Sequence, residues 1–205
     1  MRNHIFILVV LLTNVWLFAD VSHGVLEKYP NLIFITTGIG PCISIARAFN
    51  ANFEEVYGIE EDPVLVEHSN HVIPMYFKDS MLRRTKKVQV FHGETIAKLN
   101  ELINNINQPI TFLLSSYRPD LDNLNQPNII LEELEQIKYH PIKTHTILIE
   151  NVHLADTPLF GNIELNKLFD SLLKINPYYK FNFEKGGHLE KEERSILVAY
   201  PPTSP

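Results

Sequence analysis

The sequence predicts an α/β domain with a doubly wound, mostly parallel seven-stranded sheet and an antiparallel C-terminal hairpin. Three observations lead there. Short, continuously apolar runs recur, as in strands covered by helices on both faces. Between them lie stretches whose apolar residues fall at i, i+3 and i+4, one face of a helix. Two final strand-like runs lie too close in sequence for a helical crossover, so they pair antiparallel. Such β-then-α alternation builds a parallel sheet.

Each element has its own justification. Leu32-Ile33-Phe34-Ile35 is the first buried strand. Pro41 to Ala51 reads as a helix, with Ile45, Ala48 and Phe49 on one face and Pro41 tolerated in its first turn. Glu55 to Ile59 is the second strand, and Asp62-Pro63 opens a helix through about Val72. Lys87 to Phe91 is the third strand. The following helix, Glu94 to Asn107, carries Ile96, Leu99, Leu102, Ile103 and Ile106 as its stripe. Pro109 precedes the fourth strand, ITFLLS. A polar loop from Tyr117 to Pro127 leads to a helix over Asn128–His140, capped by Asn128. Thr144 to Glu150 is the fifth strand and Ile163 to Ile175 the next helix. Tyr178 to Phe183 and Ser195 to Tyr200 form the hairpin.

The N-terminus differs from the rest. Arg2 precedes an apolar run over residues 5–18, short for a membrane span of about 20 residues. Small-residue cleavage options follow after Ala19 and after Gly24, the layout of a secretory signal peptide. An uncleaved membrane anchor with Arg2 inside, or an extra core element, are the alternatives. The expected organisation is a leader or anchor over residues 1–24 and a single domain over 25–205. The protein is then secreted or periplasmic, or held at the membrane through residues 5–18.

Composition narrows the function classes. The chain has 205 residues, 45% hydrophobic and 20% charged, enough for one sizeable core. Net charge is −6 with a pI near 5.8, and no long Lys/Arg run is present, which argues against nucleic acid as partner. Arg83-Arg84 with Lys86-Lys87 reads as a solvated loop. The single cysteine, Cys42, excludes an intramolecular disulfide and reads as a packing residue. His68 and His71 share a helix face without a third ligand, and His140, His145 and His188 fall in or beside polar loops. All five read as solvated surface.

In an open α/β sheet, ligands bind outside the carboxyl ends of the strands. After the first strand come Thr36-Thr37-Gly38-Ile39-Gly40, which read equally as a plain tight turn or as one that lets the backbone approach a ligand. It is neither a GxGxxG fingerprint nor a P-loop. Glu60, Glu61 and Asp62 follow the second strand; Asp62 reads as a helix cap and Glu60 as a ribose ligand. Gly93 and Glu94 follow the third, Glu94 facing an adenine edge or complementing the helix start. Ser115 follows the fourth. Glu150, Asn151 and His153 follow the fifth, and together offer a general base or an oxygen-rich metal site, or are simply polar residues at a sheet edge.

These segments, in this order, resemble the class I S-adenosylmethionine-dependent methyltransferases. More narrowly they resemble small bacterial and viral methyltransferase-like proteins. That group carries E-T-G-x-G, S-I-E-x-D-P, H-G-D-S, F-W-L-D-A-H, L-E-E-L-E-x-I and I-L-I-D-D-V-R. The counterparts here are ITTGIG (35–40), GIEEDP (58–63), HGET (92–95), FLLSSY (112–117), LEELEQI (131–137) and ILIENVH (147–153). The resemblance implies that Thr37, Gly38 and Gly40 line the cofactor, that Glu60 holds its ribose, and that Gly93 and Glu94 lie beside its adenine. Ser115, Glu150 and Asn151 are then at the reaction centre. The chain departs from the pattern at Thr36, where the group carries an acid, and at Ser115-Ser116-Tyr117, which replaces Asp-Ala-His. Of a divalent-metal chelate like that of catechol-type relatives, only Glu150-Asn151 remains, so no metal is expected.

Two functions follow. One is S-adenosylmethionine-dependent methyl transfer to a small-molecule acceptor, with Glu150 or His153 as base. The other is a catalytically degenerate methyltransferase-like fold, exported as a binding or interaction protein. A nucleotide-sugar or NAD enzyme is disfavoured by the missing third glycine.

Overall fold

Strand β1 (Ile33–Thr37) is buried along its whole length, and the sheet grows outward from it in both directions. The computed structural model describes residues 21–76, 86–115, 128–186 and 195–202. The strands are β2 (Glu55–Glu60), β3 (Lys87–His92), β4 (Ile110–Leu114), β5 (Thr146–Glu150), β6 (Lys180–Glu184) and β7 (Ile196–Tyr200). They form one seven-stranded sheet in the order β3-β2-β1-β4-β5-β7-β6. Strands β1 to β5 pair in parallel. Strand β7 runs antiparallel to both neighbours, inserted between β5 and β6. The expected hairpin is therefore present, and its second strand also completes the ladder of β5.

Side chains alternate across the strands and divide the core in two. On one face, Phe34, Val56, Leu113, Leu148, Ile196 and Val198 meet helix α1 (His23–Lys28) and helix α2 (Ile43–Asn50). Helix α3 (Pro63–Tyr76) joins the same face through Ile73. On the other, Ile33, Ile35, Ile59, Phe112, Ile147 and Ile149 meet α4 (Thr95–Ile103), α5 (Ile130–Tyr139) and α6 (Leu165–Ile175). The stripe of α6 shows the gain: burying Leu168, Leu172 and Ile175 contributes about 1.5–3 kcal/mol each.

Several sequence expectations are refined here. Pro41 lies outside the helix. It sits in a turn closed by Cys42 N–H donating to the Ile39 carbonyl at 2.9 Å, and α2 begins only at Ile43. Helix α3 runs past Val72 to Tyr76 with Pro74 inside it. Asp62 does cap it, accepting from Val64 N–H at 2.8 Å. Asn128 accepts from Ile130 N–H at 3.0 Å at the start of α5.

The folded domain also begins earlier than residue 25. Val21 is 0% exposed, and Ser22 caps α1 by accepting from Val25 N–H. A boundary at 24/25 would cut through a helix and remove a core residue. The apolar run at 5–18, the basic pair Arg83-Arg84 and His188 lie outside the described residues.

His140 and His145 are not surface residues. Both are buried, and they bond to each other, His145 Nε2 to His140 Nδ1, at 2.9 Å. Their place beside a polar loop hid this, because the loop folds them inward beneath β4 and β5. His68 and His71 are exposed as expected.

Candidate functional site

Strand order reverses between β1 and β4, so a crevice opens at their carboxyl ends. Four segments reach this edge: the turn after β1, the acids after β2, Ser115 after β4 and Glu150 after β5.

The turn after β1 needs its glycines. Gly38 and Gly40 hold φ of 74° and 46°, which favours residues without a Cβ. Gly38 N–H still donates to the Ile59 carbonyl at 2.8 Å, so the turn starts from a fixed ladder. Ile39 then folds onto Gly58 of β2, where a Cβ would lie 2.5 Å from Ile39 Cγ2 and 2.8 Å from Ile45 Cδ1. Sequence reading gave Gly58 no role; its place just before the acid pair was the available signal.

Glu60 ties the two sides of this corner together. Its Oε2 accepts from Ile39 N–H at 3.1 Å and from Gly40 N–H at 3.4 Å. Its Oε1 accepts from the N–H groups of Glu61 and Asp62 at 3.0 and 3.1 Å. The half-buried carboxylate thus gathers the amides of the glycine turn at the crevice rim. Next to it, Glu61 accepts from Thr95 N–H at 2.8 Å, a link the sequence did not suggest. Glu94 caps α4, accepting from Ile96 and Ala97 N–H, which is the helix-start role weighed for it. Gly93, at φ 146°, makes the bend before it.

The two positions that depart from the resemblance meet each other. Thr36 Oγ1 and Ser115 Oγ are 3.3 Å apart. Ser115 Oγ also lies 2.7 Å from the Thr37 carbonyl and 2.9 Å from that of Gly38. A hydroxyl has a single proton to donate, so Ser115 binds one of these carbonyls and can accept from Thr36. Where two acids would repel, two hydroxyls brace the turn. Thr37 Oγ1, by contrast, is buried with no hydrogen-bond partner among the described residues.

Glu150 and Asn151 are buried at the end of β5. Glu150 Oε1 accepts from Val21 N–H at 2.7 Å, and Arg47 Nη1 donates to the Val21 carbonyl at 2.5 Å. One residue of the N-terminal segment is thus fastened between β5 and α2. Asn151 takes a left-handed conformation (φ 61°) that starts the 3-10 turn Val152–Leu154, and His153 sits half-buried in that turn. The structure therefore groups Thr37, Gly38, Gly40, Glu60 and Ser115 around the turn after β1. Gly93 and Glu94 stand beyond β2, and Glu150 and His153 beyond β4, at the end of β5. Among the described residues, no group of three or more His, Cys, Asp or Glu side chains is placed to hold a metal ion. No helix among them is long and apolar enough to cross a membrane.

The sequence matches no protein-family model and no curated protein. Solved structures do match in shape. The O-methyltransferase from Bacillus cereus, solved in complex with SAH, aligns with a TM-score of 0.60 at 14% identity, covering 95% of this chain and 88% of that one. The O-methyltransferase TomG from Streptomyces achromogenes, involved in tomaymycin synthesis and solved with SAM, gives 0.61 at 12%, covering 87% and 77%. Spermidine synthase from Thermotoga maritima gives 0.56 at 11%, covering 85% of this chain and 55% of that one.

Proposed function

We propose that this chain, whose fold is that of the class I S-adenosylmethionine-dependent methyltransferases, transfers a methyl group to a small-molecule acceptor. The observation that carries the reading is Thr37 Oγ1, a buried hydroxyl without a hydrogen-bond partner among the described residues, at the edge where the sheet order reverses. Leaving such a group unpaired costs about 1–3 kcal/mol, a cost a bound ligand removes. The positive-φ glycine turn and Glu60 beside it suit an adenosine moiety, with the ribose hydroxyls donating to the carboxylate.

When bound, S-adenosylmethionine supplies an electrophilic methyl group on a sulfonium. The chain's own residues then have ordinary tasks. Gly38 and Gly40 admit the ligand close to the backbone, and Glu60 and Thr37 orient it. Ser115 keeps the turn in place through the carbonyls after β1. Methyl transfer depends chiefly on alignment of donor and acceptor, so the absence of an acid at Thr36 does not forbid it. Glu150 or His153 takes the acceptor's proton. The acidic net charge fits a small-molecule acceptor better than nucleic acid. The N-terminal segment fits export, or attachment to a membrane through residues 5–18.

A second reading has its own support. Glu150 Oε1 is committed to Val21, and the hydroxyls of Thr36 and Ser115 face each other. Those features suit a degenerate member that binds without turnover. Calorimetry of the purified protein with S-adenosylmethionine, followed by turnover assays on small phenols, acids and amines, separates the two. Binding with turnover supports the enzyme, and binding without turnover supports the degenerate form. No heat at millimolar ligand overturns both cofactor-based readings.

A further inference from the structure

We propose that Arg47 is a positioning residue for the methyl-transfer site: acting through the Val21 peptide, it fixes the carboxylate of Glu150. The proposal rests on reading Glu150 as the base in that reaction.

Val21 stands just outside α1, which Ser22 caps. It is 0% exposed, so its N–H and C=O both need partners inside the protein. Those partners come from two different parts of the sheet. The N–H donates to Glu150 Oε1 at 2.7 Å, at the end of β5, and the carbonyl accepts from Arg47 Nη1 at 2.5 Å, on α2. A single residue of backbone therefore joins the guanidinium to the carboxylate.

Helix α2 starts where the turn after β1 ends. Cys42 N–H closes that turn onto the Ile39 carbonyl, and Ile43 opens the helix. Ile39 and Ile45 pack in the same cluster as Val21, so turn, helix and Val21 form one packed unit. The element that would cradle the cofactor thus also sets, through Arg47, where the carboxylate on β5 stands. A glutamate side chain turns about three bonds, and a fixed donor on one oxygen selects among its rotamers. The backbone N–H keeps its proton, so the hold orients the carboxylate without neutralising it.

Losing Arg47 removes this donor from a buried carbonyl, and the segment must shift to re-pair it. The shift draws the Val21 N–H away from Glu150. Because methyl transfer depends on alignment, a displacement of about 1 Å costs about 100-fold in rate. A cation in the last turn of α2 also complements the helix dipole. That role is indifferent to Glu150, and this difference is what a double-mutant cycle reads.

The cycle is run on the purified full chain, following S-adenosylhomocysteine release with small phenols, acids and amines as acceptors. Arg47→Ala should lower kcat by about 10–100-fold and leave KM for S-adenosylmethionine within about threefold. Arg47→Lys, which keeps a charged donor, should recover part of the loss. In the Glu150→Gln background, Arg47→Ala should have no further effect, because the group it positions is already changed. Full additivity, an unchanged kcat or a loss confined to KM overturns the proposal and leaves the enzyme reading standing. Parental kcat in Glu150→Gln removes the base and the proposal with it, and a parent without turnover overturns both readings. As a second measurement, amide hydrogen exchange by NMR reads the Val21 N–H directly. Arg47→Ala should speed its exchange by about tenfold or more while the Ile147 and Leu197 amides exchange as in the parent. Unchanged protection at Val21 overturns the route through its peptide. If Arg47→Ala does not fold, Arg47→Lys carries both measurements, with smaller effects in the same directions.

Discussion

Glu60 Oε2 accepts the backbone N–H of Ile39 at 3.1 Å across the corner between β1 and β2. The residue best placed to receive a ribose is thus also the one that holds the glycine turn. A ligand there shares the carboxylate with four backbone amides.

Replacing Glu60 should therefore weaken both ligand and turn. Hydrogen bonds to a charged group contribute about 1.5–3 kcal/mol, so Glu60→Ala should loosen S-adenosylmethionine by roughly 10–100-fold. Glu60→Gln, which keeps one acceptor oxygen, should fall between. Titration calorimetry measures this, and an unchanged dissociation constant in Glu60→Ala would remove Glu60 from the site.

Glu150 allows structure and chemistry to be told apart. Glu150→Ala leaves the buried Val21 N–H unpaired and should cost about 1–3 kcal/mol of stability. Glu150→Gln retains an acceptor and should stay within about 1 kcal/mol of the parent. If Glu150 is the base, the Gln variant still loses about 10²–10⁴-fold in kcat. Normal turnover in a stably folded Gln variant would transfer the role to His153.

Gly58 is a packing test that reaches the site. A methyl group there meets Ile39 and Ile45, and overpacking of this kind costs about 1–3 kcal/mol. Because Ile39 belongs to the glycine turn, Gly58→Ala should lower ligand affinity as well as the denaturation midpoint. A drop in stability with unaltered affinity would show that the turn relaxes independently of β2.

The buried histidine pair predicts acid sensitivity. Ile110 N–H donates to His145 Nδ1 at 3.1 Å, so the His145 proton sits on Nε2 and points to His140 Nδ1. His140 Nε2 in turn donates its N–H to the Ile106 carbonyl at 2.9 Å. Burial, with the neighbouring His140 and Lys143 adding to it, pushes His145 down to about 3. The folded value lies below the unfolded one, so the unfolded chain takes up the proton first. The stabilisation is complete above about pH 6.5 and is lost as pH falls toward 3, by up to about 1.4 kcal/mol per pH unit. Urea midpoints measured from pH 8 to pH 4 should fall more steeply for the parent than for His145→Gln. Parallel slopes would refute the assignment.

Much of this architecture could be read along the chain. The apolar runs at Ile33–Ile35 and Ile147–Ile149 mark buried strands whatever the rest does, and the stripes of α4 and α6 follow from spacing. Asp62 and Glu94 were legible as caps because capping is local. What escaped involves long separations. Val21 meets Glu150 across 129 positions, and no local pattern announces it. Residues 21–24, assigned to a leader or anchor, belong to the fold instead, because an apolar segment looks alike in sequence whether it is exported or packed. His140 and His145 misled for a similar reason: polarity in sequence says nothing of a hydrogen-bond chain that closes only in the fold. Thr36 and Ser115, read as two separate departures, turn out to touch.

The insertion of β7 between β5 and β6 has a consequence for timing. Strand β7 follows the other six strands along the chain, yet it fills an interior place in the sheet. Strand β5 receives Val21 from one end of the domain through Glu150 and β7 from the other through its ladder. Contacts of such long range close late, after the intervening chain has been ordered. A nascent chain shorter than about residue 200 therefore has no complete sheet to hold its N-terminal segment in place.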